Sequence, residues 1–151
     1  EASNQGIFSD RIFFAKRMKA EDHLARQTLA DLFIDTLPFN AHTTASDALW
    51  AGLPLLTCLG ESFAARVSAS LLNSIGLPEL ITKNLNEYEE KAIYLGKNKN
   101  EIIKLKKIIS DNRLKKPLFN TELFTKNIED AYVKAYERFI DNKPLDNIYI
   151  K

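Results

Sequence analysis

Short apolar runs alternate with helix-length amphipathic segments over the first half of the chain, and the second half is amphipathic throughout. That alternation is the pattern of a parallel sheet with crossover helices. Arg11 to Ala15 (RIFFA) is apolar almost throughout, as buried parallel strands tend to be, and predicts a first strand. Ala20 to Ala30 has helical spacing, with Leu24, Thr28 and Leu29 on one face. Leu32 to Thr36 (LFIDT) predicts a second strand, stopped by Pro38. A helix over Thr44 to Trp50 then closes at Gly52, in the C′ position that favours glycine. Pro54 to Cys58 (PLLTC) predicts a third strand, Phe63 to Ile75 a helix closed by Gly76, and Glu79 to Thr82 a last short strand.

From Asn84 onward the pattern is helical. Asn86 to Leu95, Lys99 to Ser110 and Thr121 to Ile140 each carry an apolar stripe; the last uses Phe124, Ile128, Tyr132, Ala135 and Phe139. Pro117 separates the second from the third. The fold class is therefore α/β: a partial doubly wound, Rossmann-like parallel sheet of about four strands with a C-terminal helical extension. No internal repeat or linker divides it. Glu1 to Ile7 reads as the end of a helix already under way, so the chain is expected to be a piece of a longer protein.

Composition narrows the class. With 45% hydrophobic residues over 151, the chain can bury a core. A net charge of +1 supplies no field that would steer it to nucleic acid or anionic lipid. The single cysteine, Cys58, allows no internal disulfide and fits a reducing, cytoplasmic setting. No apolar run is long enough to span a membrane as a helix, and no His/Cys/Asp cluster has metal-ligand spacing.

The segment after the second strand carries the candidate chemistry. In open parallel sheets ligands bind beyond the C-terminal ends of the strands, where the following helices present their N-termini. Thr43 and Thr44 stand at such a helix entry, where free N–H groups and the positive end of the helix dipole favour an anion. Asp47, three residues beyond Thr44, can accept hydrogen bonds from a ribose diol. A diphosphate on the N–H groups and a ribose on the acid describe a nucleotide. Thr44 and Asp47 also satisfy the spacing of an ordinary capping box, which would need no ligand. Trp50, Phe63 and the aromatics of the last helix read as core, and Cys58 as structural. Lys104, Lys106, Lys107, Lys115 and Lys116 read as a solvated face, and Glu61 as a cap for the helix near Phe63.

The run Asp35 to Pro54, DTLPFNAHTTASDALWAGLP, closely resembles the signature of the O-GlcNAc transferase family, protein O-glycosyltransferases of GT-B architecture. The similarity continues through Thr57 to Ser70 (TCLGESFAARVSAS) to Leu80 and begins upstream at Arg11 to Asp31. It extends more weakly over Asn84 to Tyr88, Pro117 to Asn120 and the final helix. The resemblance implies that Thr43 and Thr44 hold the donor diphosphate, preceded by His42, and that Asp47 binds the ribose. It implies that His23 packs against the uracil, that Arg26 lies near the base, and that the backbone of Met18 reads the uracil edge. A ribose-contacting lysine of the family falls nearest Ala20, with Lys19 one residue away. The related GDP-sugar branch lacks the histidine and the aspartate present here as His42 and Asp47. The implied donor is therefore a UDP-sugar, UDP-GlcNAc, with no further cofactor and no metal.

The same resemblance makes the chain the C-terminal, donor-binding part of its parent, acting on a protein acceptor. The family's candidate catalytic histidine and the lysine that neutralises the leaving diphosphate have no counterpart here. No catalytic residue is assigned within the chain, and the isolated chain is expected to be inactive. The Arg11–Ala15 strand is expected to pair with Leu32–Thr36 or with another molecule, since an open apolar edge invites self-association. Two rival readings are another GT-B nucleotide-sugar enzyme, such as an epimerase, and a non-catalytic module that keeps the fold for assembly.

Overall fold

The computed structural model describes residues 1–150. In chain order its elements are α1 (Ala20–Gln27), β1 (Phe33–Ile34), α2 (Thr43–Trp50), β2 (Leu55–Cys58), α3 (Val67–Ile75), β3 (Ile81–Thr82), α4 (Leu85–Lys97), α5 (Lys99–Asn112) and α6 (Thr121–Ile140). Short 3-10 turns lie at Ala2–Gln5, Ser9–Arg11, Phe63–Ala65, Pro78–Leu80 and Pro117–Phe119.

Every residue of β2 is buried, which is why LLTC shows no alternation of apolar and polar positions. β1 and β3 flank it, both parallel to it, with Phe33 opposite Leu55 and Thr57 opposite Ile81. Each parallel connection needs a crossover, and α2 and α3 supply them. Leu49 of α2, Leu55 and Leu56 of β2, Leu72 and Ile75 of α3, Leu95 of α4, and Ile102, Leu105 and Ile109 of α5 form one core. Each such side chain contributes about 1.5–3 kcal/mol when fully buried.

The polar side of α5 lashes this core to its surroundings. Lys106 donates to the Ala30 carbonyl at 2.6 Å, Asn112 to that of Ile75 at 2.8 Å and Arg113 to that of Trp50 at 2.7 Å. The last two satisfy carbonyls at the C-terminal ends of α3 and α2, groups a helix cannot pair internally. Lys106 is thus a tether rather than part of a purely solvated face. Gly76 ends α3 with φ 83°, and a Cβ there would stand 3.2 Å from the Asn112 amide nitrogen.

Several expectations need correction. Arg11–Ala15 forms no strand: Ser9–Arg11 is a 3-10 turn, and Phe13 and Phe14 are 86% and 93% exposed. An apolar run becomes a strand only where a ladder receives it, and β1 pairs with β2 over two residues without taking this run as a second neighbour. The sheet accordingly has three strands rather than about four, and the expected pairing with Leu32–Thr36 is absent among the described residues. Helix α1 stops at Gln27, where the Thr28 hydroxyl turns back to the Ala25 carbonyl at 2.6 Å and leaves Leu29 exposed. The predicted helix from Phe63 starts as a 3-10 turn capped by Ser62, not Glu61, with Ser62 Oγ accepting from the Ala65 N–H at 3.3 Å.

The aromatics read as core are not core. Trp50 and Phe63 are exposed, and α6 buries no residue although its apolar stripe spans the predicted positions. Helical periodicity records which side chains share a face, not whether anything covers it.

Candidate functional site: the mouth of helix α2

Helix α2 begins at Thr43, one residue earlier than the sequence predicts, with His42 as N-cap. His42 makes no side-chain cap, and the capping box read from Thr44 and Asp47 does not form. The first-turn N–H groups, which an α-helix cannot satisfy internally, therefore keep their capacity to bind an anion. Thr43 and Thr44 are exposed at this mouth and Asp47 is half-buried. The His42 ring stacks on Phe39 (centroids 5.0 Å, 16° between planes) and meets Phe63 edge-on at 6.1 Å. Its Nε2 is buried without a hydrogen-bond partner among the described residues, as is Asn40 Oδ1.

The loop leading into the mouth is held by buried polar groups. Leu37–Pro38 is a cis peptide. Asn40 donates from its side chain to the Thr36 carbonyl at 3.1 Å and from its backbone to the Ala64 carbonyl at 3.0 Å. Asp35, at the end of β1, accepts from the N–H groups of Thr36 and Ala41 and from the Thr57 hydroxyl. The Tyr88 hydroxyl of α4 donates to the Asp35 carbonyl at 2.7 Å. Burial pushes the Tyr88 pKa up to about 12, with the charges of Asp35 and Cys58 adding to the shift. Cys58 is a buried free thiol at the end of β2.

The second group of candidate residues sits on and before α1, which packs against α2. An Arg26 nitrogen lies 2.7 Å from His23 Nδ1, and the other guanidinium nitrogen donates to the Lys16 carbonyl at 3.2 Å. A guanidinium can only donate, so His23 Nδ1 is the acceptor and the ring proton sits on Nε2. On the other side the Gln27 amide nitrogen lies 3.3 Å from Nε2, and with the ring proton there the amide turned by 180°, oxygen toward the ring, is the orientation that pairs. Met18 lies exposed in the segment that Arg26 ties down, and Lys19 is the N-cap of α1 with Ala20 its first residue.

Sequence reasoning missed Asp35, Ser68 and Tyr88 as parts of this region. The signal for Asp35 was an acid ending an otherwise apolar run, Leu32-Phe33-Ile34-Asp35. Of the candidate residues Met18, Thr43 and Thr44 are exposed, and His23, Arg26, His42 and Asp47 are half-buried. A cavity of about 500 Å³ lies between the end of α6 and the tail, lined by Lys134, Arg138, Asp141 and Tyr149 among others, and includes none of them. Among the described residues no group of His, Cys, Asp and Glu gathers as a metal site, and no helix is long and apolar enough to cross a membrane.

Residues 1–128 match the sequence profile of glycosyl transferase family 41. A probable UDP-N-acetylglucosamine–peptide N-acetylglucosaminyltransferase, SEC, of Arabidopsis thaliana is 41% identical over 136 residues, 89% of this chain and 14% of the plant protein. The UDP-N-acetylglucosamine–peptide N-acetylglucosaminyltransferase of Caenorhabditis elegans is 33% identical over 144 residues, 95% of this chain and 12% of its own length. The fold is similar to that of an O-GlcNAc transferase point mutant from Thermobaculum terrenum, with TM-score 0.73 and 31% identity, covering 86% of this chain and 25% of the bacterial one. The chain spans about a seventh of the plant relative and a quarter of the bacterial structure, so the likeness concerns one part of each. With the profile covering most of its length and two relatives above 30% identity, the chain belongs to glycosyl transferase family 41.

Proposed function

We propose that this chain is the donor-binding portion of a protein O-glycosyltransferase, that it takes UDP-GlcNAc, and that in isolation it transfers no sugar. The observation that carries the reading is the uncapped mouth of α2, with Thr43 and Thr44 exposed beside unpaired first-turn N–H groups. The diphosphate sits on those N–H groups and the threonine hydroxyls, where the helix dipole favours negative charge. Asp47, on the same helix, accepts hydrogen bonds from the ribose hydroxyls. His23, its ring held at Nδ1 by Arg26, presents a ring face to the base, and the Met18 backbone reads the base edge. The relatives named above are transferases that use UDP-N-acetylglucosamine and a peptide, which supports the same donor and a protein acceptor here.

Sugar transfer leaves a UDP whose developing charge must be stabilised in the transition state. Among the described residues the α2 mouth and the two threonines are the groups placed to do so, and activation of the acceptor falls to the rest of the parent protein. Calorimetric titration with UDP, with GDP as control and Asp47→Ala as the variant, tests the reading. Selective UDP binding that weakens about tenfold in Asp47→Ala is expected, a loss of about 1.4 kcal/mol for one charge-assisted contact. Equal affinity for UDP and GDP, or an unaffected variant, defeats it.

A further inference from the structure

Ala41, the residue immediately before His42, is held at both its N–H and its carbonyl by buried side chains from two different elements. The Ala41 N–H donates to Asp35 Oδ1 at 2.7 Å, and the Ala41 carbonyl accepts from Ser68 Oγ at 2.9 Å. Asp35 is 4% exposed and Ser68 0% exposed. The carboxylate's other oxygen accepts from the Thr57 hydroxyl at 2.6 Å, and the Thr57 carbonyl accepts from the Thr82 hydroxyl at 3.0 Å. A continuous polar chain thus runs through the buried layer from β3 across β2 and β1 to the residue that precedes the α2 N-cap. Asp35 also accepts from the Thr36 N–H at 2.9 Å, and its own carbonyl receives the Tyr88 hydroxyl.

A buried carboxylate is costly unless its lone pairs are filled, and no cation pairs with Asp35 among the described residues. A carboxylate can accept from the loop and from the sheet at once, which an apolar side chain cannot do. We infer that Asp35 and Ser68 are positioning residues for nucleotide binding, which fix the backbone of Ala41 on both sides of its Cα and so preset the direction of the N–H groups at Thr43 and Thr44. This rests on the donor-binding reading above. Neither residue touches the ligand; they remove the ordering that the loop would otherwise undergo on binding.

The experiment combines UDP titration with amide hydrogen exchange on Asp35→Asn, Ser68→Ala and, as a stability-matched control, Leu105→Ala. Leu105 lies in the core on α5, outside the loop and its contacts. Expected is at least tenfold weaker UDP binding in Asp35→Asn and at least threefold in Ser68→Ala, with faster exchange at Ala41, Thr43 and Thr44 relative to β2. Leu105→Ala should lower the unfolding midpoint while leaving UDP affinity within twofold. If Asp35→Asn does not fold, Ser68→Ala carries the same comparison. Unchanged affinity and unchanged local exchange in both variants overturn the inference, as does an equal loss of affinity in Leu105→Ala. A wild-type chain that does not bind UDP overturns the donor reading and the nucleotide role with it. The exchange data then still decide whether Asp35 and Ser68 fix the mouth.

Discussion

Arg113 donates to the Trp50 carbonyl at 2.7 Å, and its guanidinium lies 5.3 Å from the centre of the Trp50 ring. One side chain thus satisfies a carbonyl at the end of α2, places positive charge at the negative end of that helix dipole, and covers one face of an exposed indole. Phe119 meets the indole edge-on at 5.1 Å. Arg113→Met keeps much of the apolar stem and removes the charge and the hydrogen bond. It is expected to cost about 1–2 kcal/mol of unfolding free energy, from the lost cap and cation–π contact together. Arg113→Lys should recover only part, because an ammonium cannot stack flat on the ring. Urea denaturation monitored by Trp50 fluorescence reads both the loss and the altered ring environment.

Gly60 is required by distance rather than by backbone angle. A Cβ at this position would stand 2.5 Å from Ala65 Cβ, and the Gly60 N–H donates to the Ala65 carbonyl at 2.9 Å. The turn Phe63–Ala65 therefore closes onto the end of β2 only because position 60 has no side chain. Gly60→Ala is expected to destabilise by about 1–3 kcal/mol, the range for forcing a methyl into a packed site. The double variant Gly60→Ala/Ala65→Gly should recover most of that loss, since the two methyl groups compete for one space. Strictly additive costs in thermal unfolding would show that the close approach is not the cause.

The Tyr88 hydroxyl gives a pH signature. Its folded pKa is raised from 10.0 to about 12, chiefly by burial. Below pH 10 both folded and unfolded chains hold the proton and the full stability is present. Between pH 10 and 12 the unfolded chain releases it while the folded chain retains it, so stability falls as pH rises across that window. The ring is only half-buried, so screening by water reduces the effect to about 1 kcal/mol. Tyr88→Phe should be less stable than wild type near neutral pH, having lost the bond to the Asp35 carbonyl, and the gap should narrow toward pH 12. Parallel denaturation series at several pH values measure the narrowing; a constant gap would contradict the assigned shift.

Much of this architecture is legible in the residues, for reasons that differ by segment. Leu55 to Cys58 is readable because a strand buried on both faces leaves a continuous apolar run, and Gly52 and Gly76 mark helix ends because both hold positive φ. The α2 mouth is readable from Thr43, Thr44 and Asp47, although the spacing of Thr44 and Asp47 taken alone favours a cap, and only the longer run Asp35 to Pro54 turns the reading toward a ligand. The outer layer is not readable. Phe13, Phe14 and the α6 stripe have the composition of core, but burial depends on neighbours, which a local pattern does not contain. Asp35, Ser68 and Tyr88 lie at positions 35, 68 and 88, and only the folded sheet brings them onto one loop.

His23 and Arg26 form the last test, because their contact separates recognition of a base from mere helix packing. With an Arg26 nitrogen 2.7 Å from Nδ1, the folded chain should carry the His23 ring proton on Nε2. Nitrogen chemical shifts of the ring read this directly: Nδ1 should resonate as an unprotonated acceptor and Nε2 as a protonated nitrogen. Arg26→Met removes the donor and also the tie to the Lys16 carbonyl, so the segment carrying Met18 loosens. The ring signals should then shift toward a mixture of tautomers, and UDP binding should weaken about tenfold, roughly 1.4 kcal/mol. Thermal stability should change little, since the pair lies outside the core and α1 buries no residue. If UDP affinity survives while the tautomer changes, base recognition does not depend on the way Arg26 holds the His23 ring, and the Met18 backbone would be left as the base-side contact.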